Sequence, residues 1–110
     1  MADEISYNDF AKLDIRVGTV LAAERVPETD KLIQCTVDFG EFGQRTIVSG
    51  IAEWKSPEQL VGKQLPYIVN LAPRVLKGIE SQGMLLAASD ENGVALLNPE
   101  RTLAPGTKLR

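Results

Sequence analysis

The side chains of this sequence that are best suited to chemistry are cations, and the chemistry they suggest is the binding of phosphate groups. Lys63, Arg74 and Lys77 lie in a stretch, residues 59–79, that contains no acidic residue, and residues 101–110 are likewise free of acids. The whole chain carries a net charge of −3, which argues against a surface that is basic throughout. The distribution therefore permits one basic face on an acidic body, although scattered solvated charges would give the same pattern.

Side chains for acid-base or nucleophilic catalysis are scarce. The chain has no histidine and a single cysteine, Cys35, so histidine-based triads and cysteine-histidine metal sites are excluded. Residues 78–83 have the glycine spacing of a phosphate loop, but Met84 and Leu85 stand where such a loop needs a lysine and a hydroxyl. We therefore expect no enzymatic activity, no bound metal and no cofactor.

Length and composition indicate one soluble domain. The 110 residues suffice for a single modest core, and 44% apolar with 25% charged residues is ordinary for globular proteins. The acidic start of the chain lacks the basic and apolar regions of a signal peptide, and a lone cysteine suits a reducing compartment. We therefore expect a cytoplasmic protein that does not enter membranes, with a tail at residues 1–7 and one domain at residues 8–110.

The elements that position these cations are predicted to be short strands. Apolar residues alternate with polar or small ones over residues 15–22, which is typical of a strand, and Gly18 in its middle suggests a bulge or a sharp bend. A short helix or turn at residues 8–13, capped by Ser6 or Asn8, precedes it. The same patterns predict further strands at residues 32–37, 45–49, 66–71, 84–88 and 94–97, the last two joined by a hairpin at Asn92-Gly93.

One short helix is predicted between the third and fourth strands. Ser56, Pro57 and Gln59 have the spacing of an N-cap, a first helical proline and a capping-box glutamine, and Gly62 follows as a stop signal. Five or six short strands with a helix at this point fit a small Greek-key barrel better than a sandwich. The predicted fold class is therefore all-β, a five-stranded OB-fold barrel with a short helix between strands 3 and 4.

Motifs along most of the chain resemble one known family. Residues 9–18 (DFAKLDIRVG) are similar to the opening of the tRNA-binding domain that is appended to many methionyl-tRNA synthetases. Later motifs follow in the order of that family, at residues 27–32, 37–40, 47–50, 61–63, 70–73 and 77–84. The resemblance covers residues 8–110, and its combined motifs are highly specific.

This resemblance implies an OB-fold with a C-terminal extension that forms a two-fold homodimer. It also implies that the partner is tRNA, bound through its overall shape with little regard to nucleotide sequence. OB-folds present one strand face and two loops to nucleic acid, and folded RNA is read mainly through its backbone and 2′-hydroxyl groups. The apolar residues of the C-terminal third that would support a dimer could equally form the core: Leu85, Leu86, Val94, Leu96, Leu97 and Leu103.

The matching positions imply eight residues that contact RNA. Asn70 and Ser81 would hydrogen-bond to sugar or phosphate groups. Gly83 would let the backbone approach closely, and Met84 would pack against a base or sugar. Each residue taken singly has a structural alternative, and only the ordered set favours the RNA role. The four cations among the eight would approach phosphates: Arg16, Lys31, Arg74 and Lys77.

The expected function is that of a non-catalytic, structure-specific tRNA-binding protein, free-standing and acting in trans in protein biosynthesis. Whether it also docks on an aminoacyl-tRNA synthetase, as an auxiliary subunit of the methionyl enzyme, is left open. The strongest alternative is an export-related chaperone that would bind unfolded polypeptide through the same dimeric fold. Residues 30–32 (DKL) and 81–84 (SQGM) favour tRNA, because the chaperone-like branch of the family loses both motifs.

Overall fold

The computed structural model describes residues 1–110 as nine strands, two short α-helices and one 3-10 turn. Helix α1 spans Tyr7–Ala11 and follows Ser6, whose hydroxyl accepts a hydrogen bond from the backbone N–H of Asp9 at 3.1 Å. This confirms the predicted N-terminal helix and its serine cap. Neither helix has the length and apolar character that a membrane crossing requires.

Five antiparallel strands form a nearly closed barrel. In chain order the barrel strands are β1 (Ile15–Arg25), β2 (Ile33–Asp38), β3 (Gln44–Ser49), β4 (Gln64–Ile68) and β7 (Met84–Leu85). Their spatial order, β3-β2-β1-β4-β7, places the first strand between the second and the fourth, as in an OB-like Greek key. The predicted all-β fold class is confirmed.

The barrel closes through the two residues that precede Gly83 in the chain. The N–H of Gln82 donates to the Thr46 carbonyl at 2.9 Å, and the Thr46 N–H donates to the Gln82 side-chain oxygen at 3.0 Å. The hydroxyl of Ser81 accepts the N–H of Val48 at 2.9 Å. These bonds satisfy the free edge of β3, which would otherwise expose unpaired backbone groups.

The core lies inside this barrel. Phe39 and Tyr67 are almost fully buried and meet edge to face, with ring centroids 5.6 Å apart. Cys35 is buried beside them, and desolvation raises the pKa of its thiol to about 11, so the side chain stays neutral and acts as a small apolar residue. The other fully buried side chains are Ile33, Ile47, Leu60, Leu65, Val20 and Val37.

Gly18 does not form the bulge that the sequence suggested. The register of β1 against β2 shifts between Val20 and Ala22, two to four residues further on. Gly18 instead lies directly against core side chains: a Cβ atom there would lie 2.4 Å from Val37 and 2.7 Å from Phe39. Glycine is needed at position 18 because β1 passes so close to these two side chains that no further side chain fits there.

Helix α2 (Pro57–Leu60) lies between β3 and β4, as the capping-box pattern predicts. The side-chain oxygen of Gln59 accepts the N–H of Ser56 at 2.8 Å, and Pro57 occupies the first helical turn. Leu60 is 1% exposed and anchors the helix in the core. The capping box at the N-terminus and the burial of Leu60 on one face therefore stabilise this four-residue helix.

Two hairpins lie outside the barrel sheet. The first, β5 (Arg74–Leu76) with β6 (Ile79–Ser81), was not predicted from the sequence. The second, β8 (Ala87–Asp90) with β9 (Gly93–Leu96), confirms the hairpin around Asn92-Gly93. Its predicted bounds were wrong at one end, because Met84 and Leu85 pair with β4 in the barrel instead. The predicted fourth strand also ends earlier, at Ile68.

Residues 105–109, which we call the C-terminal strap, run along the first half of β1. Val17 donates to the Thr107 carbonyl at 2.8 Å and accepts from Gly106 at 2.7 Å, and Leu109 donates to Ile15 at 2.8 Å. The strap crosses the 3-10 turn after β2 at very short range. A Cβ atom on Gly106, whose φ is +89°, would lie 2.3 Å from the Phe39 carbonyl oxygen.

Candidate nucleic-acid interface

The β5–β6 hairpin presents a lysine at its tip. Lys77 and Gly78 are the two turn residues, and both have positive φ, 50° and 78°, as a type I′ turn requires. Asparagine and glycine suit that turn, whereas a lysine in the left-handed region costs about 1 kcal/mol. Lys77 is exposed and forms no ion pair. The turn therefore holds an unneutralised cation at some conformational cost.

Four of the eight predicted contact residues line one small cavity at the base of this hairpin. Arg74, Ser81, Gly83 and Met84 surround a volume of about 50 Å³. Arg74 is exposed and free of carboxylate partners, and Met84 is 41% exposed. An apolar depression with a guanidinium beside it can receive the apolar part of a base or sugar while the guanidinium binds the attached phosphate. The remaining lining residues are Val48, Leu71, Ala72 and Leu76.

Ser81 and Gly83 shape this cavity from within the protein. The buried Ser81 hydroxyl accepts from Val48 and donates to the Gly83 carbonyl at 3.2 Å, so both of its roles are already taken. A Cβ atom on Gly83 would lie 3.0 Å from Ile47 and from the Ile68 carbonyl oxygen. Glycine is therefore required at position 83 because β3 and β4 approach it closely. The predicted RNA contacts of Ser81 and Gly83 stay predictions.

Asn70 ties the start of β1 to the end of β4. Its side-chain oxygen accepts the N–H of Asp14 at 2.8 Å, and its amide nitrogen donates to the Lys12 carbonyl at 2.6 Å. These two bonds fix the path of the segment between α1 and β1. A hydrogen bond from Asn70 to RNA would use the amide's remaining donor.

Arg16 and Lys31 lie away from the hairpin cavity. The Arg16 guanidinium is 2.9 Å from Asp14, donates to the Gly106 carbonyl at 2.9 Å and stacks over the Phe42 ring at 4.2 Å. These contacts make Arg16 an anchor of the C-terminal strap. Lys31 is exposed in the loop between β1 and β2, and its backbone carbonyl accepts the N–H of Ala52.

Sequence reasoning missed one cation at the end of the barrel. Arg45, the second residue of β3, is half-buried and lines a cavity of about 40 Å³ together with Arg16 and Asp14. Its guanidinium bonds only to backbone carbonyls. The available signal was an arginine at the start of the strand predicted at residues 45–49, two residues before residues 47–50 of the family motif.

An OB-like barrel that carries exposed cations on a hairpin beside a partly apolar cavity shares its fold and this kind of surface with domains that bind nucleic acid. Residues 15–108 match the family described as "Putative tRNA binding domain". The match covers most of the chain, and the chain belongs to this family.

Similar proteins include synthetases much longer than this chain and solved chains of similar extent. A methionine–tRNA ligase from Porphyromonas gingivalis is 53% identical over an alignment of 111 positions, which covers 100% of this chain and 16% of the ligase. The crystal structure of a methionyl-tRNA synthetase-related protein from Pyrococcus horikoshii is 40% identical with a TM-score of 0.93, over 99% of this chain and 100% of that one. The chaperone CsaA from Bacillus anthracis is 34% identical with a TM-score of 0.89, over 98% and 100% respectively.

Proposed function

We propose that this chain is a non-catalytic, structure-specific tRNA-binding protein that works in trans. The observation that carries the proposal is the β5–β6 hairpin, where Arg74 and Lys77 are exposed and unpaired beside the cavity of the family's SQGM segment. Phosphate contacts dominate the affinity of proteins for nucleic acid, and two exposed cations on one hairpin are arranged for them. The net charge of −3 confines this attraction to local surfaces.

Folded RNA is a better partner for this surface than single strands. The chain has only six aromatic residues, of which Phe39 and Tyr67 are buried in the core, and none of the other four lines the hairpin cavity. Proteins that bind single strands without sequence preference stack successive bases on exposed aromatic rings. A surface with cations and few rings instead favours contacts to the backbone of a structured RNA.

The proposed site of action is beside methionyl-tRNA synthetase. The segment that matches this chain is 16% of the length of the Porphyromonas ligase, whereas in the Pyrococcus synthetase-related protein the match covers the whole solved chain. A domain of this kind acting in trans would raise the local concentration of tRNA near the enzyme that uses it. This auxiliary role and a cytoplasmic location are parts of the proposal.

We further propose that the protein acts as a homodimer. Helix α1 and the residues around it expose large apolar side chains, among them Tyr7 at 77% and Ile5 at 67%. A second apolar surface, a cavity of about 310 Å³, lies beside the C-terminal strap and includes Leu97 and Leu103. Burial of such surfaces in a two-fold interface would stabilise both. Sedimentation at high concentration that shows only a 12.0 kDa species would contradict the dimer.

A titration of the chain with folded tRNA at several salt concentrations tests the proposed function. We expect saturable binding whose affinity falls steeply with salt, because each phosphate contact releases counterions. Unstructured RNA of the same length and a DNA duplex serve as competitors, and both are expected to compete poorly. Equal competition by the unstructured RNA would reject the structure-specific reading.

Absence of tRNA binding even at low salt would reject the proposed function as a whole. The similarity to CsaA then supplies the next assay, in which the protein is tested for its ability to keep an unfolded polypeptide from aggregating. Binding of tRNA, together with a failure to prevent aggregation in that assay, would support the proposal against the chaperone alternative.

A further inference from the structure

Arg45 holds its guanidinium in a fixed orientation while leaving one edge of it without a protein acceptor. Nη1 donates to the Val69 carbonyl at 2.5 Å and to the Gln82 carbonyl at 3.1 Å. These bonds use both hydrogens of Nη1, and neither Nε nor Nη2 makes a hydrogen bond within the protein. The Nε–Nη2 edge is one of the two edges through which arginine binds a phosphate with paired hydrogen bonds.

The cavity that Arg45 lines carries a net positive charge. The cavity of about 40 Å³ that Arg45 lines contains one further guanidinium, Arg16, and one carboxylate, Asp14. That carboxylate lies 2.9 Å from Arg16 and forms no ion pair with Arg45. Two cations against one anion leave a net positive charge, which attracts a phosphate rather than a second cation.

We propose that Arg45 is a further phosphate-binding residue, which contacts one backbone phosphate of the bound RNA through its Nε–Nη2 edge. The inference deepens the proposed function and rests on it, because the phosphate belongs to the same RNA that the hairpin binds. Gln82, whose carbonyl holds Arg45, is the residue beside Ser81 and Gly83 of the hairpin cavity. Arg45 therefore extends the contact surface from that segment to the end of the barrel.

The preorganisation of Arg45 separates it from Arg25 and Arg101. Arg25 makes a single carbonyl bond, to Ala52 at 3.2 Å, and Arg101 reaches only its neighbour Thr102 at 3.5 Å. A guanidinium held by two carbonyls loses less conformational entropy when it binds a phosphate. Arg101 is exposed, carries the same charge and belongs to no predicted contact, so it is the matched control.

The first test compares the salt dependence of tRNA binding in Arg45→Gln and Arg101→Gln. Loss of one phosphate contact is expected to reduce the slope of log affinity against log salt by about one and the affinity by roughly 10-fold in Arg45→Gln. Arg101→Gln is expected to leave the slope unchanged. An Arg45→Gln slope equal to that of the native chain would overturn the inference.

A second measurement uses the native chain and so does not depend on how the variant folds. The Arg45 Nε–H resonance in a ¹⁵N-correlated NMR spectrum, assigned through its own side-chain carbons in the native chain, is followed as folded tRNA is added. A shift that saturates with tRNA and exceeds that of Arg101 supports the phosphate contact. If the native chain binds tRNA while this resonance stays unmoved, only the role of Arg45 fails, whereas a native chain that binds no tRNA fails the proposed function itself.

Discussion

Reversal of both hairpin charges, Arg74→Glu with Lys77→Glu, is expected to weaken tRNA binding by about 100-fold or more at low salt. Two charged contacts of about 1.5–3 kcal/mol each are lost, and the new carboxylates repel the phosphates that the cations attracted. Neither native side chain has an ion-pair partner, so no carboxylate on the protein is left unpaired by the change. A titration at several salt concentrations should show the slope falling by about two.

The control for this experiment is a reversal of two other exposed cations that form no ion pair, Arg101→Glu with Arg110→Glu. Each double variant lowers the net charge from −3 to −7, because every reversal replaces one positive charge by one negative charge. If the two double variants weaken tRNA binding equally, the overall charge and not the hairpin is responsible. The hairpin model would then be wrong even though tRNA binds.

A single variant, Lys77→Asn, separates the charge from the turn. Asparagine is favoured at the positive φ of 50° that Lys77 adopts, so the hairpin should keep its shape and gain slightly in stability. Loss of affinity in this variant must come from the missing charge. A fall in tRNA binding that accompanies a lower unfolding temperature would instead indicate damage to the turn.

The barrel could be predicted from the sequence because its signals are local. Alternation of apolar residues predicted β1, β2 and β3, and the spacing of Ser56, Pro57 and Gln59 predicted α2. The β5–β6 hairpin was not predicted, since strands of three residues are too short to show a period of two. The Lys77-Gly78 turn also lacks the asparagine that usually signals such a hairpin.

The candidate site could be predicted only in part, because its geometry depends on contacts between distant residues. The charge pattern drew attention to Arg74 and Lys77 correctly as exposed cations. The bonds of Asn70 to Asp14, of Ser81 to Val48 and of Arg16 to Gly106 span 56, 33 and 90 residues, and no local pattern encodes them. Arg45 was missed for the same reason, since the carbonyls that orient it, those of Val69 and Gln82, lie 24 and 37 residues away along the chain.

The C-terminal strap should detach, at least locally, when Gly106 is replaced by alanine. The φ of +89° costs an alanine about 1–2 kcal/mol, and its Cβ would meet the Phe39 carbonyl oxygen at 2.3 Å. A backbone oxygen cannot turn aside as a side chain can, so the chain itself must shift, at a further cost of roughly 1–3 kcal/mol. We expect the free energy of unfolding in urea to fall by about 2–5 kcal/mol.

Gly62→Ala is the matched control for this loss of stability. Gly62 has nearly the same φ, +86°, but a Cβ atom there would meet nothing within 4 Å. Both variants reduce the freedom of the unfolded chain equally, so the difference between them isolates the close crossing of the strap over the 3-10 turn. Equal losses of stability in the two variants would show that this crossing is looser than the structure has it. A larger loss in Gly106→Ala should also release Arg16, whose guanidinium donates to the Gly106 carbonyl.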